Sequence, residues 1–230
     1  MNIVARFVLP VMMVLLIVAC APPPVLRNEK LLNDDSLLTG EPCEAPCWRG
    51  ITPGETAWSE ALTTLEDQDD LVLDPVQEDQ ESDAIGVQWK QTDGDVCCQM
   101  ISEDGETVSL IFLQTAPDMT VGELIEAHEA PTYAIGNPVT DDQAVVLLVY
   151  PEKQMVVLGF VPGAEGELEE DSEIIGVWYI TAETMELFTQ TNNLHEWEGY
   201  QPFSTYAADV DASEFEVTPS ITLTPEGEGQ

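Results

Sequence analysis

Basic residues are scarce in this sequence. Six Lys and Arg stand against 44 Asp and Glu, which gives a formal net charge of -38 at pH 7. Binding to nucleic acid needs a cationic surface that neutralises phosphates, so this charge excludes nucleic acid as a partner. Anionic lipid headgroups are repelled for the same reason. Any affinity for a membrane must therefore come from something other than protein charge.

Motifs for catalysis and for metal binding are also missing. The two histidines, His128 and His195, stand in no metal-ligand pair and in no Gly-x-Ser-x-Gly context. The sequence contains no Cys-x-x-Cys motif and no glycine-rich phosphate loop. Acidic runs at residues 67–70 and 165–173 lack the spacing of an EF-hand loop, so they indicate a solvated surface that could bind calcium weakly. We predict a protein without enzymatic activity, catalytic residues, metal centre or cofactor.

One apolar run is present at the N-terminus. Residues 7–19 follow a lone Arg6 and are shorter than the span of about 20 residues that crosses a bilayer. This pattern is typical of a secretory signal. Ile17-Val-Ala-Cys20 then resembles the bacterial lipobox, in which the cysteine is acylated and becomes the new N-terminus. We predict a signal peptide at 1–19 and a lipid anchor on Cys20, outside the cytoplasm. An uncleaved anchor helix and an ordinary signal peptide are the alternatives.

The remaining chain divides by composition. Residues 20–41 begin Cys-Ala-Pro-Pro-Pro, and because triproline is extended we predict a tether there. Apolar patterning extends from 42 to 198. It is lost over 199–230, which is acidic and contains Thr and Pro, so we predict a disordered tail.

Four cysteines remain after Cys20. Cys43, Cys47, Cys97 and Cys98 form an even set, which favours disulfides in an oxidising compartment. The pairing that avoids strained neighbours joins the first two to the last two. A strand would point the adjacent cysteines to opposite faces, so one bridge is easier to form than two. A zinc site is the alternative, although its usual Cys-x2-Cys spacing is absent.

The apolar periodicity predicts a helix followed by several strands, and the same order of elements then occurs a second time along the chain. The predicted helices cover 56–66, with Thr56 as the cap, 120–130, with a capping box formed by Thr120 and Glu123, and 182–191. The predicted strands cover 71–76, 84–90, 96–102, 108–115, 132–135, 144–150, 155–161 and 174–180. We therefore predict an α+β fold of two tandem helix-plus-antiparallel-meander units, 42–115 and 116–198, with the helices on one face of the sheet.

Two resemblances support this interpretation. Thr120-x-x-Glu-Leu-x6-Pro131, followed by strands, is similar to the small outer-membrane lipoproteins of the SmpA/OmlA (BamE-like) group. That resemblance implies a threonine-capped helix that leads into a sheet. Pro46-Cys-Trp-x-Gly-Ile-x-Pro-Gly-x-Thr56 looks like a group of uncharacterised bacterial lipoproteins, and this likeness covers most of the mature domain.

Aromatic residues give the remaining functional hint. Trp48, Trp58 and Trp197 could form an exposed patch for carbohydrate or peptide, and packing in the core is the alternative. With the anchor and the tether, we predict an envelope lipoprotein that binds an envelope protein or supports envelope assembly. The alternative is an extracytoplasmic lipoprotein that binds a solute or a divalent cation.

Overall fold

The fold is α+β and is built around one large antiparallel sheet. The computed structural model describes residues 26–80 and 82–208, so the predicted signal peptide, Cys20 and residues 209–230 of the predicted tail lie outside the described residues. Within those two ranges no helix has the length and apolarity needed to cross a bilayer.

Within residues 26–80 and 82–208 the structure has ten strands, five α-helices and a short 3-10 helix at Pro151–Lys153. The strands are β1 (Leu71–Leu73), β2 (Gln77–Glu78), β3 (Ile85–Gln91), β4 (Cys98–Ser102), β5 (Leu110–Leu113), β6 (Tyr133–Thr140), β7 (Gln143–Tyr150), β8 (Met155–Val161), β9 (Ile174–Ile180) and β10 (His195–Glu196). The helices are α1 (Ser36–Thr39), α2 (Trp58–Glu66), α3 (Val121–His128), α4 (Ala182–Thr191) and α5 (Phe203–Tyr206).

The strand order joins the two halves of the chain at one seam. It runs β1-β3-β4-β5-β9-β8-β7-β6-β10, and β2 pairs with β3 beside β1. Strands from residues 71–113 therefore lie on one side, and later strands lie on the other. β5 and β9 form the seam, where Phe112 is directly opposite Trp178.

Four helices cover one face of the sheet, which we call the inner face. Buried side chains of β3, such as Val87 and Trp89, point to this face, whereas the intervening Gln88 points away and is half-buried. α2 contributes Trp58, Ala61 and Leu65 to the same core, and α1, α3 and α5 also contribute buried residues. This core extends across both halves of the sheet.

The prediction that all helices lie on one face is wrong for α4. Met185 of α4 packs in a second core on the opposite face, which we call the outer face. The reason is visible in β7, where residues from Ala144 to Tyr150 are all buried. Because successive strand residues alternate between faces, an uninterrupted apolar strand must be covered on both sides. Thr181 caps α4 directly after β9 and directs it onto the outer face.

Several predicted boundaries agree closely with the structure. β8, β9 and α4 have the predicted bounds. The predicted capping box of α3 is confirmed, since the Thr120 hydroxyl accepts from the Glu123 amide at 3.3 Å and the Glu123 carboxylate accepts from the Thr120 amide at 2.9 Å. The predicted cap of α2 is wrong, because the hydroxyl of Thr56 accepts instead from the amide of Thr52 at 2.9 Å.

Both ends of the domain extend further than predicted. The tether prediction is wrong for 31–40, where Leu31, Leu32 and Leu37 are buried in the inner core. The tail prediction is wrong for 199–208, because α5 buries Phe203 and Tyr206. The leucine pairs of 31–40 and the single aromatic residues of 199–208 stand in short polar segments without the extended periodicity that predicts a buried helix or strand.

Candidate functional site

The cysteines form two local disulfides. Cys43 bonds to Cys47 and Cys97 bonds to Cys98, with Cα–Cα distances of 5.7 and 3.7 Å. The prediction of disulfides is therefore confirmed, and the predicted pairing between the two segments is wrong. Trp48, which follows Cys47, stacks on Trp89 of β3 with centroids 5.6 Å apart, and Trp89 is the cross-strand partner of Cys98.

The proposed aromatic patch is not an exposed surface. Trp48 and Trp58 are buried, because Trp48 stacks on Trp89 and Trp58 belongs to the buried side of α2. Trp197 is half-buried and lies parallel to Tyr206, with centroids 5.6 Å apart. The alternative of packing in the core is therefore correct for Trp48 and Trp58. In the described part of the chain, neither the Trp48 nor the Trp89 indole N–H has a hydrogen-bond acceptor.

Arg49 joins three segments beside the tryptophan stack. Its guanidinium donates to both carboxylate oxygens of Asp70 at 2.8 and 2.9 Å and to Asp34 at 3.2 Å. It also lies over the ring of Trp48, 5.0 Å from the centroid. The hydrogen bonds from Arg49 hold the pKa of Asp70 below its usual value. Arg49 thus has a structural role.

Both histidines hold backbone segments together. His128 Nε2 lies 2.5 Å from the carbonyl oxygen of Leu37, and its Nδ1 lies 3.1 Å from the Lys153 ammonium. An ammonium can only donate, so Nδ1 accepts and Nε2 carries the proton that it donates to Leu37. His195 Nε2 lies 3.1 Å from the carbonyl oxygen of Ala207. These contacts link α3 to α1 and β10 to the chain after α5.

An acidic recess of about 490 Å³ lies at the start of α3. Its lining consists of Thr120, Gly122, Glu123, Glu126, Glu169, Glu170 and Asp171. Burial, together with the nearby charges of Glu170 and Glu126, raises the pKa of Tyr200. Among residues 26–80 and 82–208, no group of three or more His, Cys, Asp or Glu is arranged to hold a metal ion. The recess therefore lacks a preformed cation cage.

The strands themselves are almost free of charge. As the structure describes them, β1 and β3 through β9 contain no Asp or Glu, and Lys90 is their one charged residue. The acidic residues of the domain lie in its helices and loops and in the two shortest strands, β2 and β10. Any exposed part of the sheet is therefore a neutral area within a strongly anionic surface.

Part of the outer face is such an area. Five half-buried apolar side chains lie together across the seam, and we call them the outer strip: Leu110, Phe112, Leu158, Phe160 and Trp178. Phe112 and Trp178 meet edge to face with centroids 6.0 Å apart. The ring of Phe112 also covers Gly176, where a Cβ would lie 3.5 Å from it. Because Gly176 is opposite Leu158, the strip continues from β5 over β9 to β8.

A charged pair borders one end of the outer strip, and a neutral polar residue borders the other. Arg27 lies over Phe160, 5.2 Å from the ring centroid, and forms an ion pair with Glu173. At the other end, Gln99 is opposite Phe112, so the row becomes polar at β4. Sequence reasoning missed this strip because continuous apolar strands indicate burial without indicating which face lacks cover.

Comparison of the chain with protein-family models, with curated proteins and with solved structures found no match. The likeness to two lipoprotein groups therefore stays a prediction from short motifs. Function has to be inferred from the residues and contacts of this chain.

Proposed function

We propose that this chain is a lipid-anchored protein of the bacterial envelope, without enzymatic activity, whose α+β domain binds another protein. The observation that carries this proposal is Ile17-Val-Ala-Cys20 at the end of the apolar run 7–19. Acyl chains contribute about 0.8 kcal/mol for each buried methylene, and stable anchoring needs more than one chain or a second signal. Lipid on Cys20 thus supplies the membrane affinity that the charge of the protein does not.

The short connection to the domain supports an action close to the membrane. Six residue steps separate Cys20 from Leu26, where the described domain begins. An extended chain covers at most about 3.6 Å per residue, or about 22 Å in all. The segment around Leu26 and Arg27 therefore stays within that distance of the anchor. A partner would have to be reached at or near the membrane surface.

The contacts of the two histidines are consistent with a binding role. His128 is engaged with Leu37 and Lys153, and His195 is engaged with Ala207. A general base needs a ring nitrogen that can reach a substrate proton. Nε2 of each ring instead contacts a backbone carbonyl oxygen, and Nδ1 of His128 contacts Lys153, which supports a non-enzymatic function.

The first test is the intact mass of the protein extracted from membranes, with and without reduction and alkylation. We expect a mass that lacks residues 1–19 and carries acyl chains, with Cys43, Cys47, Cys97 and Cys98 blocked before reduction. Crosslinking in native membranes should then recover a specific partner. An unprocessed chain with free thiols would contradict the anchor and the export that the proposal requires.

We also propose that the fold consists of two tandem units, 42–115 and 116–198, related to the lipoprotein groups that the motifs resemble. In each unit a helix, α2 or α3, precedes an antiparallel meander, which supports this division. Separate expression of the two segments checks it. Because the β5–β9 seam would be exposed in each segment, we expect them to reassociate when mixed. Two soluble segments that do not associate when mixed would contradict the division into two units.

A second candidate function is the binding of a solute or a divalent cation. The acidic recess beside α3 favours it, since five carboxylates line one concave site. Calorimetry with calcium and with a panel of sugars tests it. Heat at millimolar calcium that is lost in Glu123→Gln/Glu170→Gln would support weak calcium binding. No heat with any ligand would eliminate this candidate.

A further inference from the structure

We infer that the outer strip is the docking surface for a protein partner that presents apolar side chains surrounded by Lys and Arg. This inference rests on the proposed function and names the partner surface that the protein-binding role requires. It starts from the outer face, which the described residues cover only in part. Leu110, Phe112, Leu158, Phe160 and Trp178 are neither fully buried nor fully exposed, although each projects from a strand of the central sheet.

Continuity makes these five side chains one surface. The register places Phe112 opposite Trp178, and the Phe112 ring covers Gly176. The Phe112 ring therefore lies next to Gly176, whose cross-strand partner is Leu158. Large aromatic side chains held by a rigid sheet dominate the energetics of many protein interfaces. Phe112 and Trp178 are the two such residues at the centre of the strip.

The charge distribution defines the chemistry of the partner. The strands β5, β8 and β9 carry no charged residue, whereas the whole chain has a net charge of -38. An apolar partner surface therefore meets no charged side chain from these three strands, and Glu173 at the Phe160 end is paired with Arg27. α4, which packs on the same face, carries Glu183 and Glu186, and these carboxylates attract Lys and Arg and repel Asp and Glu. A basic rim around an apolar centre is complementary to this arrangement.

Two other occupants fit the charge less well. A second copy of the chain would carry the same net charge of -38, and mutual repulsion opposes that association. A bilayer with anionic lipids repels an acidic protein in the same way. The partner with a basic rim is the occupant that both the apolar strip and the surrounding charge favour.

The test uses two labelled helical peptides of about 18 residues, about 27 Å long. One has a leucine face bordered by lysine, and the other has the same face bordered by glutamate. Fluorescence anisotropy measures their binding to the full mature chain. We expect the lysine peptide to bind and the glutamate peptide to bind about tenfold more weakly or not at all. Equal binding of both peptides would overturn the charge argument.

Variants locate the binding site. Phe112→Gln/Trp178→Gln should lower the affinity for the lysine peptide by about tenfold, a typical loss for central aromatic anchors. Val96→Gln/Val139→Gln is the matched control, since both valines are exposed on the surface outside the strip, and it should leave binding unchanged. If both double variants bind like the original protein, the peptide senses only the diffuse negative charge, and the inference is wrong.

A gain-of-binding variant protects the test against a failure to fold. Gln99 is half-buried and lies opposite Phe112 on the same face. Gln99→Phe should extend the strip and raise the affinity for the lysine peptide by about threefold or more, since it adds apolar contact area. Unchanged or weaker binding would contradict the inference.

Two parallel measurements distinguish the other occupants. Association of the protein alone that grows with salt and is lost in Phe112→Gln/Trp178→Gln would identify a second copy. Flotation of the unacylated chain with phosphatidylcholine and phosphatidylglycerol vesicles, lost in the same variant, would identify a membrane surface. Either result would overturn the inference while leaving the lipid anchor intact. An unprocessed protein that binds the lysine peptide at the strip would instead refute only the anchor.

Discussion

The two halves of the sheet are stabilised in different ways. The half formed by β1 to β5 has strands of two to seven residues, and specific contacts stabilise it. These are the Trp48–Trp89 stack, two disulfides and the Arg49 cluster. The half formed by β6 to β9 has strands of seven or eight residues whose interior is almost entirely apolar. One half depends on a few particular contacts, and the other depends on continuous burial.

The largest expected loss of stability comes from a substitution at the centre of the first half. Trp89 is fully buried, stacks on Trp48 and lies opposite Cys98. Trp89→Ala should lower the free energy of unfolding by about 3–5 kcal/mol, because a large cavity replaces the indole. Urea unfolding followed by circular dichroism measures this loss. Trp89→Phe should cost much less, since the indole N–H has no acceptor in the described part of the chain. An equal loss in both variants would indicate a missed polar contact.

The next effect tests whether the second half relies on burial alone. Leu148 of β7 is fully buried in the inner core. Leu148→Ala should lower the free energy of unfolding by about 2–5 kcal/mol, from lost burial and the cavity that remains. Val139→Ala in the adjacent β6 is the control, and because Val139 is exposed its effect should stay within about 0.5 kcal/mol. A small effect of Leu148→Ala would mean that this core can collapse around the gap.

Removal of a disulfide from the first half should cause a smaller loss of stability than removal of Trp89 or Leu148. Cys43 and Cys47 are half-exposed and close a loop with a sequence separation of four. Cys43→Ala/Cys47→Ala should lower the free energy of unfolding by about 2 kcal/mol from the chain entropy of the unfolded state. The adjacent pair Cys97 and Cys98 closes almost no loop, so this entropy contributes only about 1 kcal/mol. A much larger loss in Cys97→Ala/Cys98→Ala would show that buried packing of the sulfur atoms dominates there.

The same difference explains what could be predicted from the sequence. Local signals identified β8, β9, α4 and the Thr120 capping box, because strand alternation, turn residues and capping depend on neighbours in the chain. The α+β class followed from them. These signals are strongest in the second half, where strands are long and apolar.

Contacts between distant segments could not be predicted in this way. Sequence spacing favoured a pairing of Cys43 and Cys47 with Cys97 and Cys98, but each pair forms its own local disulfide. The contact that brings Trp48 onto Trp89 of the neighbouring strand β3 has no signal in the sequence. The outer strip was missed for a related reason, since its cover depends on where α4 packs. Apolar residues such as Phe112 look alike in sequence whether a helix covers them or not.

The smallest expected loss of stability concerns the ion pair between Arg49 and Asp70, and its dependence on pH identifies it. Arg49 lowers the pKa of Asp70, so the ionised carboxylate stabilises the folded state more than the unfolded state. This contribution is present above the unfolded pKa of about 3.9 and is lost as pH falls through the lower folded pKa. Because Asp70 is exposed, Asp70→Asn should cost only about 0.2–1 kcal/mol at pH 7. Thermal unfolding at pH 7 and pH 3 measures it, with Asp69→Asn as the exposed neighbouring control. The stability difference between the original protein and Asp70→Asn should shrink at pH 3, and a difference that grows there would contradict the ion pair.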